Sequence, residues 1–157
     1  MSPNIQLLLA FMDEAFDRRG WHGPTLREAL RGVTAAEADR RPGECHTIRE
    51  VTVHAAYWKH IVHQRLTGDK QQRFPMDGAN WFGGGHERDW KSDVQLLLDE
   101  HRKLRAVVAA YPPRLLDKSV ASRQTAAFNI RGVVAHDLYH AGQIQMIKKM
   151  QRRSGAA

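Results

Sequence analysis

Apolar residues recur along this chain at the three- and four-residue spacing of amphipathic helices. This spacing collects the apolar side chains of a helix on one stripe and leaves the polar residues on the opposite face. It is found in four separate stretches, which cover residues 4–19, 47–68, 90–111 and about 126–152. The pattern therefore predicts four long helices.

Three Thr-x-x-Glu sequences, at Thr25, Thr34 and Thr47, mark predicted helix starts. In such a capping box the threonine side chain and the glutamate side chain each bond a free backbone amide of the first turn. The first two boxes predict short helical pieces in the connection between the first two long helices. The third opens the second long helix, which Gly68 is predicted to end.

The remaining connections are irregular. Residues 69–88 contain Trp81 and Phe82 followed by a run of three glycines, and we expect these aromatic residues to fold over a cavity or to meet a second subunit. Residues 114–125 read as a polar connection, and no strand is predicted. Gly132 and Gly142 interrupt the last helix, which predicts close approach of another helix or of a functional site.

Four amphipathic helices of this length predict an all-α fold, a four-helix bundle formed by residues 1–157 as a single domain. The connection of some 27 residues between the first and second helices is long enough to run the length of the bundle as a crossover.

Composition narrows the class of protein. The 157 residues are 42% hydrophobic and 26% charged, as in ordinary globular proteins. Cys45 is the only cysteine, so an internal disulfide and a multi-cysteine zinc site are excluded. No signal peptide or membrane span is recognisable, and we expect a soluble protein of the cytoplasm.

The net charge of +7 raises the question of nucleic acid. The basic residues are spread along the chain, apart from a modest cluster at Lys148, Lys149, Arg152 and Arg153. Such a cluster suits the last turns of a helix, whose dipole favours cations. No nucleic-acid motif accompanies it, and we interpret the charge as a solvated basic surface.

Two histidines, His136 and His140, stand four residues apart in the last predicted helix. Residues at this spacing lie on one helix face, the usual way in which a helix presents two ligands to one metal ion. His54 lies in the apolar stripe of the second helix, whereas His60 and His63 point elsewhere on it. Three inward imidazoles from two helices predict a divalent metal site with positions open for water or substrate.

The alternative is that each histidine is a core residue bonded to a backbone carbonyl. We would interpret a single inward histidine in that way. The pair His136 and His140 together with His54 favours a metal site instead. Zinc is the first expectation, with nickel or iron as alternatives, because imidazole suits all three. The absence of an Asp or Glu in the stripe argues against an iron site of two histidines and one carboxylate.

Other polar residues have weaker claims. We interpret His22 as a surface residue of a turn, His86 as a solvated loop residue, His46 as packing against the start of a helix and Cys45 as incidental. Tyr139 and Trp58 are expected to pack rather than to catalyse. Asp137 or Gln143 could orient a ligand imidazole from behind.

The stretches Val53-His54-Ala55-Ala56-Tyr57-Trp58 and His136-Asp137-Leu138-Tyr139-His140-Ala141-Gly142-Gln143-Ile144 carry a family resemblance. With Trp21-His22-Gly23-Pro24 and the helix start at Thr47, they make the chain resemble the DinB-like (DinB/YfiT) metal-binding superfamily over nearly its whole length. The resemblance implies a bundle of up-down-down-up order, a metal held by His54, His136 and His140, and a homodimer.

Relatives in that superfamily include thiol-dependent enzymes, namely bacillithiol S-transferases and the mycothiol-dependent maleylpyruvate isomerase. The resemblance therefore implies a metal-dependent thiol S-transferase or hydrolase that acts on a small molecule, with a low-molecular-weight thiol as cosubstrate. Many members have no established activity, and the alternative is a non-catalytic metal-binding protein of stress response or interaction. No general base can be assigned from the sequence.

Overall fold

The structure is a computed structural model, and it describes residues 2–83 and 88–154. Helices account for most of this part of the chain. In chain order they are α1 (Pro3–Phe16), α2 (Leu26–Ala29), α3 (Ala35–Asp39), α4 (Ile48–Thr67), α5 (Trp90–Ala110) and α6 (Ala126–Ser154). A 3-10 turn at Pro113–Leu115 and two short strands, β1 (Ser119–Ala121) and β2 (Gln124–Thr125), lie between α5 and α6. The predicted all-α class is confirmed.

The helix starts follow the sequence pattern closely. The hydroxyl of Thr47 accepts a bond from the amide of Glu50 at 3.1 Å, and the Glu50 carboxylate accepts one from the amide of Thr47 at 2.9 Å. Thr25 and Thr34 form the same reciprocal bonds at the starts of α2 and α3. At the other end of α4, Gly68 has a φ of 75°, a left-handed conformation that glycine adopts without a steric penalty.

Three details differ from the predictions. Helix α1 ends at Phe16 rather than near residue 19, with Asp17 as its C-terminal cap. The connection predicted to lack strands contains the antiparallel pair β1–β2. The close approach of another helix predicted at Gly132 and Gly142 is wrong among the described residues, because an added Cβ would meet nothing within 4 Å at either position. Both glycines are exposed on α6.

Two hydrophobic clusters form the core. One joins the start of α1 to the ends of α4 and α5 and the start of α6, through residues that include Ile5, Leu8, Val62, Leu66, Leu104, Val108, Ile130 and Val133. The other joins the end of α1 to the starts of α4 and α5 and the second half of α6, through residues that include Phe16, Ile48, Val51, Leu97, Ala141 and Ile144. On α6, His136 and His140 fall between the residues of the two clusters.

In the described part of the chain, no helix combines the length and the apolar character that crossing a membrane requires.

Candidate metal centre

Helices α4 and α6 bring three imidazoles together in the core. The Nε2 atom of His136 lies 3.0 Å from Nε2 of His54 and 2.9 Å from Nε2 of His140. The three possible ligand atoms all lie within 4.8 Å of one another. His54 and His140 are 5% and 2% exposed, and His136 is half-buried. The structure thus unites the three histidines that the sequence singled out; we call them the three-histidine cluster.

In two of these rings the second nitrogen, Nδ1, is held by a hydrogen bond to another residue. Nδ1 of His54 donates to the backbone carbonyl of Asn80 at 2.7 Å, and Nδ1 of His140 donates to the side-chain oxygen of Gln143 at 2.6 Å. A neutral imidazole with its proton on Nδ1 has a lone pair on Nε2. The Nε2 lone pairs of His54 and His140 are therefore free to bind a cation. Gln143 is confirmed as the contact of a cluster histidine.

The third ring is held differently. Nδ1 of His136 is buried without a hydrogen-bond partner among the residues that the structure describes. Protein contacts therefore leave both tautomers of this ring available. With the proton on Nε2, His136 can donate to its two neighbours; with the proton on Nδ1, all three lone pairs converge. The second arrangement is the one a metal ion selects.

Burial keeps the cluster neutral. It lowers the pKa of His136 to about 3 and that of His140 to about 4, and it lowers the pKa of His54 as well. Desolvation is the main cause in each case, because a buried imidazolium loses its hydration. Neutral imidazole is the form that binds metal.

The loop between α4 and α5 covers the cluster. Trp81 stacks on the His54 ring with centroids 3.8 Å apart, and His46 stacks on the other side of Trp81 at 3.6 Å. Asn80, which has a left-handed φ of 66°, also accepts a bond from the indole N–H of Trp58 at 2.9 Å. One residue thus anchors both a cluster histidine and a neighbouring indole. The prediction that the loop's aromatic residues fold over a cavity is thus confirmed for Trp81, whereas Phe82 packs against Tyr57 and Phe74.

A buried ion pair lies beside the cluster. Lys59 and Asp137 are 1% and 2% exposed, and the ammonium contacts the carboxylate at 2.5 Å. Burial raises the pKa of Asp137, and the charge of Lys59 opposes that effect. Lys59 also lies over the ring of Phe16, 4.9 Å from its centroid. Asp137 therefore joins α6 to α4 through Lys59. It makes no hydrogen bond to a cluster imidazole, so the structure gives no support to the prediction that Asp137 orients one of these rings.

The donor set fits a divalent ion. Nitrogen ligands at about 2.0–2.1 Å from a tetrahedral zinc lie roughly 3.3 Å apart. Two of the three separations, 3.0 and 2.9 Å, are close to that value, and all three are within 4.8 Å. Imidazole nitrogen is a ligand for zinc, nickel and iron alike, and no carboxylate or thiolate belongs to the group formed by the described residues. Geometry and donor chemistry thus agree with the metal site predicted from spacing.

The other candidate residues lie outside the cluster. His22 is exposed and bonds the backbone oxygen of Glu14. Cys45 is exposed, as is Tyr139, and His60 contacts Glu100 instead of the cluster. His46 packs near the start of α4 as expected, through Glu50 at 3.2 Å, and it also reaches Trp81. His86 lies outside the described residues.

Sequence reasoning missed the contacts made by Asn80 and Lys59. The signal for Asn80 was weak: asparagine tolerates the left-handed conformation, and it comes two residues after Gly78 in an irregular stretch. Lys59 had a stronger signal, because it lies four residues after Ala55 and three before Val62, within the apolar stripe of α4. A lysine at a core position requires a partner of opposite charge.

A pocket opens next to the cluster, between α4 and α6. It has a volume of about 180 Å³ and is lined by Trp58, Val62, Arg65, Gln124, Phe128, Asn129, Gly132, Val133 and His136. One wall thus includes a cluster histidine, while the rest is largely apolar. Concave apolar surfaces with a few polar groups are typical of small-molecule sites.

Fold and site together define a helical protein with three histidines converging between two helices. The sequence model of the DinB superfamily matches residues 6–144, which include all three. The chain belongs to the DinB superfamily. Comparison with curated proteins gives no match, and comparison with solved structures gives none either.

Proposed function

We propose that this protein binds one divalent metal ion through His54, His136 and His140 and that it is a metal-dependent enzyme. The ion proposed first is zinc, with nickel and iron as the alternatives. The observation that carries the proposal is the convergence of three Nε2 atoms, two of them with lone pairs freed by bonds at Nδ1. A set of three histidines is the ligand pattern of catalytic sites, which keep a position open.

The reaction proposed is thiol S-transfer or hydrolysis. A bound divalent ion lowers the pKa of a thiol or water and supplies a nucleophile near neutral pH. The chain's own groups orient and enclose this site: Asn80 and Gln143 fix two imidazoles, and Trp81 covers one face of His54. The pocket beside His136 admits a small molecule. No general base is assigned among the residues that the structure describes.

Metal content tests the site. We expect elemental analysis of the purified protein to find about one ion per chain, and the His54→Ala and His136→Ala proteins to lose it. His60→Gln is the matched control, since His60 is a buried histidine of the same helix that contacts Glu100 instead. Retention of full metal content in His54→Ala with an intact fold would reject the assignment.

Activity separates the enzyme from a non-catalytic metal-binding protein. The purified protein is assayed with low-molecular-weight thiols against a panel of electrophiles, and separately against a panel of esters. We expect turnover that disappears in His136→Ala and persists in His60→Gln. A protein that binds the ion, gains thermal stability from it and shows no turnover would support the stress-response or interaction role instead.

We further propose the up-down-down-up order for one domain of residues 1–157. Arg49 contacts Asp93 and His60 contacts Glu100, so residue numbers rise together along α4 and α5. Asp13 contacts Arg105 while Phe16 stacks on His101, so they run in opposite senses along α1 and α5. His54 contacts His136 while Arg65 contacts Asn129, which supports opposite directions for α4 and α6.

We also propose that the protein is a homodimer and that it acts in the cytoplasm. Large apolar side chains are exposed on α1 at Leu7 and Phe11 and on α6 at Tyr139, Met146 and Met150. Exposed large apolar side chains on two helices that contact each other support a protein interface. We expect sedimentation equilibrium to give twice the chain mass, and Met146→Glu to give the single chain mass. A monomer at all concentrations would reject the dimer.

A further inference from the structure

The pocket between α4 and α6 has a positive charge at the end opposite the three-histidine cluster. Arg65 lines it, two turns beyond Trp58 on α4, and is half-buried. Its bonds go to the side-chain oxygens of Asn129 at 2.9 Å and Gln124 at 3.4 Å, which are uncharged. Among the residues that the structure describes, the Arg65 guanidinium therefore has no carboxylate as counter-ion.

Arg65 is held in a defined position. Asn129 is 4% exposed and donates its own N–H to the backbone oxygen of Thr125 at 2.8 Å, which fixes the amide that receives Arg65. The guanidinium also lies 5.7 Å from the centre of the Trp58 ring, and Asn80 fixes that indole. An arginine that is already oriented loses little conformational freedom when it binds an anion.

The donor pattern matches a carboxylate. Both hydrogen bonds of Arg65 leave from Nη1, so Nε and Nη2 have no partner within residues 2–83 and 88–154. These two nitrogens form one edge of the planar guanidinium, and that edge pairs with the two oxygens of a carboxylate in parallel bonds. The walls contributed by Val62 and Val133 are apolar.

The spacing sets the size of the ligand. Asn129 and His136 are seven residues apart on α6, which corresponds to about 10 Å along the helix. A molecule that reaches from Arg65 to the edge of His136 therefore contains a short chain of a few carbon atoms. A volume of about 180 Å³ suits the same size.

We propose that Arg65 is a specificity-determining residue that binds the carboxylate of a small organic acid, whose apolar chain lies against Trp58 and Val133 and whose other end faces the three-histidine cluster. The orientation toward the cluster rests on the metal-dependent function proposed above. The carboxylate site itself does not, because none of its contacts involves a metal.

Hexanoate and its uncharged analogue hexanamide are the probes that test this site. Their affinities are measured by calorimetry for the protein as purified and again after removal of metal with a chelator, with circular dichroism as the check on folding. We expect hexanoate to bind about tenfold more tightly than hexanamide in both states, because a charge-assisted pair at a half-buried arginine is worth about one factor of ten.

Arg65→Gln is expected to abolish the preference for the carboxylate, and Arg65→Lys to retain part of it through its charge. Arg131→Gln is the matched control, because Arg131 is exposed on α6 and does not line the pocket; we expect it to keep the full preference. Equal affinities of wild type for the two probes, or an undiminished preference in a folded Arg65→Gln protein, would overturn the inference.

Metal analysis of the same samples separates the two proposals. Loss of the hexanoate preference in Arg65→Gln with unchanged metal content supports the carboxylate site. If wild type carries no ion but still prefers hexanoate, the metal-dependent function fails and the carboxylate site stands.

Discussion

The core contains two kinds of buried histidine, and their surroundings differ. His54, His136 and His140 bring their Nε2 atoms together between α4 and α6. His60 and His101 are as buried as His54 and His140, at 3% and 4% exposure, but they lie apart from that group. His60 contacts the Glu100 carboxylate, and His101 stacks on Phe16 with ring centroids 3.6 Å apart. His101 has no partner for Nδ1 in the described part of the chain.

A lowered pKa alone does not distinguish His101 from the cluster. Desolvation lowers the pKa of His101 to about 3, and the same cause gives His136 a pKa of about 3. The difference lies in convergence: in the cluster, rings from two helices aim the same nitrogen at a common point, with protein acceptors behind two of them. A candidate metal site is therefore recognised by the direction of its lone pairs, and depth in the core gives no such direction.

The largest loss of folding stability is expected from replacing Lys59, which influences histidines of both kinds. The charge of Lys59 contributes to the lowered pKa of both His101 and His136, and its ammonium pairs with Asp137. Lys59→Met leaves a buried carboxylate without its partner, which costs about 3–5 kcal/mol. Urea unfolding should show this loss.

The double variant Lys59→Met/Asp137→Leu should recover most of that stability, because it removes the uncompensated charge, and it should still bind metal. If the double variant is no more stable than Lys59→Met, the ion pair is not the cause of the loss. If it binds no metal, Lys59 and Asp137 support the cluster directly.

An intermediate effect is expected from removing the acceptor behind His140. Gln143→Leu leaves Nδ1 of His140 without its 2.6 Å bond, and metal affinity should fall about 10- to 100-fold because the ring is less well oriented. Competition with a chromophoric chelator measures the affinity. Glu100→Gln makes a comparable change behind His60 and should leave metal affinity unaltered. Equal effects of the two substitutions would show that the cluster histidines do not differ from His60 in metal binding.

The smallest effect concerns His101 and depends on pH. Its folded pKa of about 3 is below the ordinary value of 6.5, so the folded chain binds fewer protons than the unfolded chain between these values. Stability from the neutral ring is therefore complete above 6.5 and is lost as the pH falls toward 3. The slope is at most about 1.4 kcal/mol per pH unit.

His101→Leu should flatten this dependence in urea unfolding measured across the range, with a change in metal content that is within error. Near neutral pH the variant should be within about 1.5 kcal/mol of wild type, since leucine fills the space and removes an unpartnered polar atom. An unchanged slope in His101→Leu would show that other groups carry the acid dependence.

The helices and the cluster were predictable because their signals are local. The three Thr-x-x-Glu boxes predicted the starts of α2, α3 and α4, since a cap depends on residues three apart. The four-residue spacing of His136 and His140 predicted one shared helix face, and the position of His54 in an apolar stripe predicted that it points inward.

Contacts between distant residues were less predictable. The carbonyl of Asn80 reaches His54 across 26 positions, and Lys59 pairs with Asp137 across 78. The glycines of α6 illustrate the opposite error: Gly132 and Gly142 predicted close approach of another helix or of a functional site, but no described atom lies within 4 Å of a Cβ added at either position, and Gly132 instead lines the open pocket beside the cluster. A glycine within a helix is compatible with close packing of another element and also with an open surface. Helix periodicity does not distinguish these two cases.

The sequence by itself thus determined the long helices, their caps and the face on which each cluster histidine lies. Only the tertiary structure decided that the three Nε2 atoms meet, that Asn80 and Gln143 fix two of the rings, and that Arg65 stands at the far end of the neighbouring pocket. The physical reason is that helix periodicity is set by hydrogen bonds between near neighbours, whereas the direction of a lone pair is set by packing between helices that are far apart in the chain.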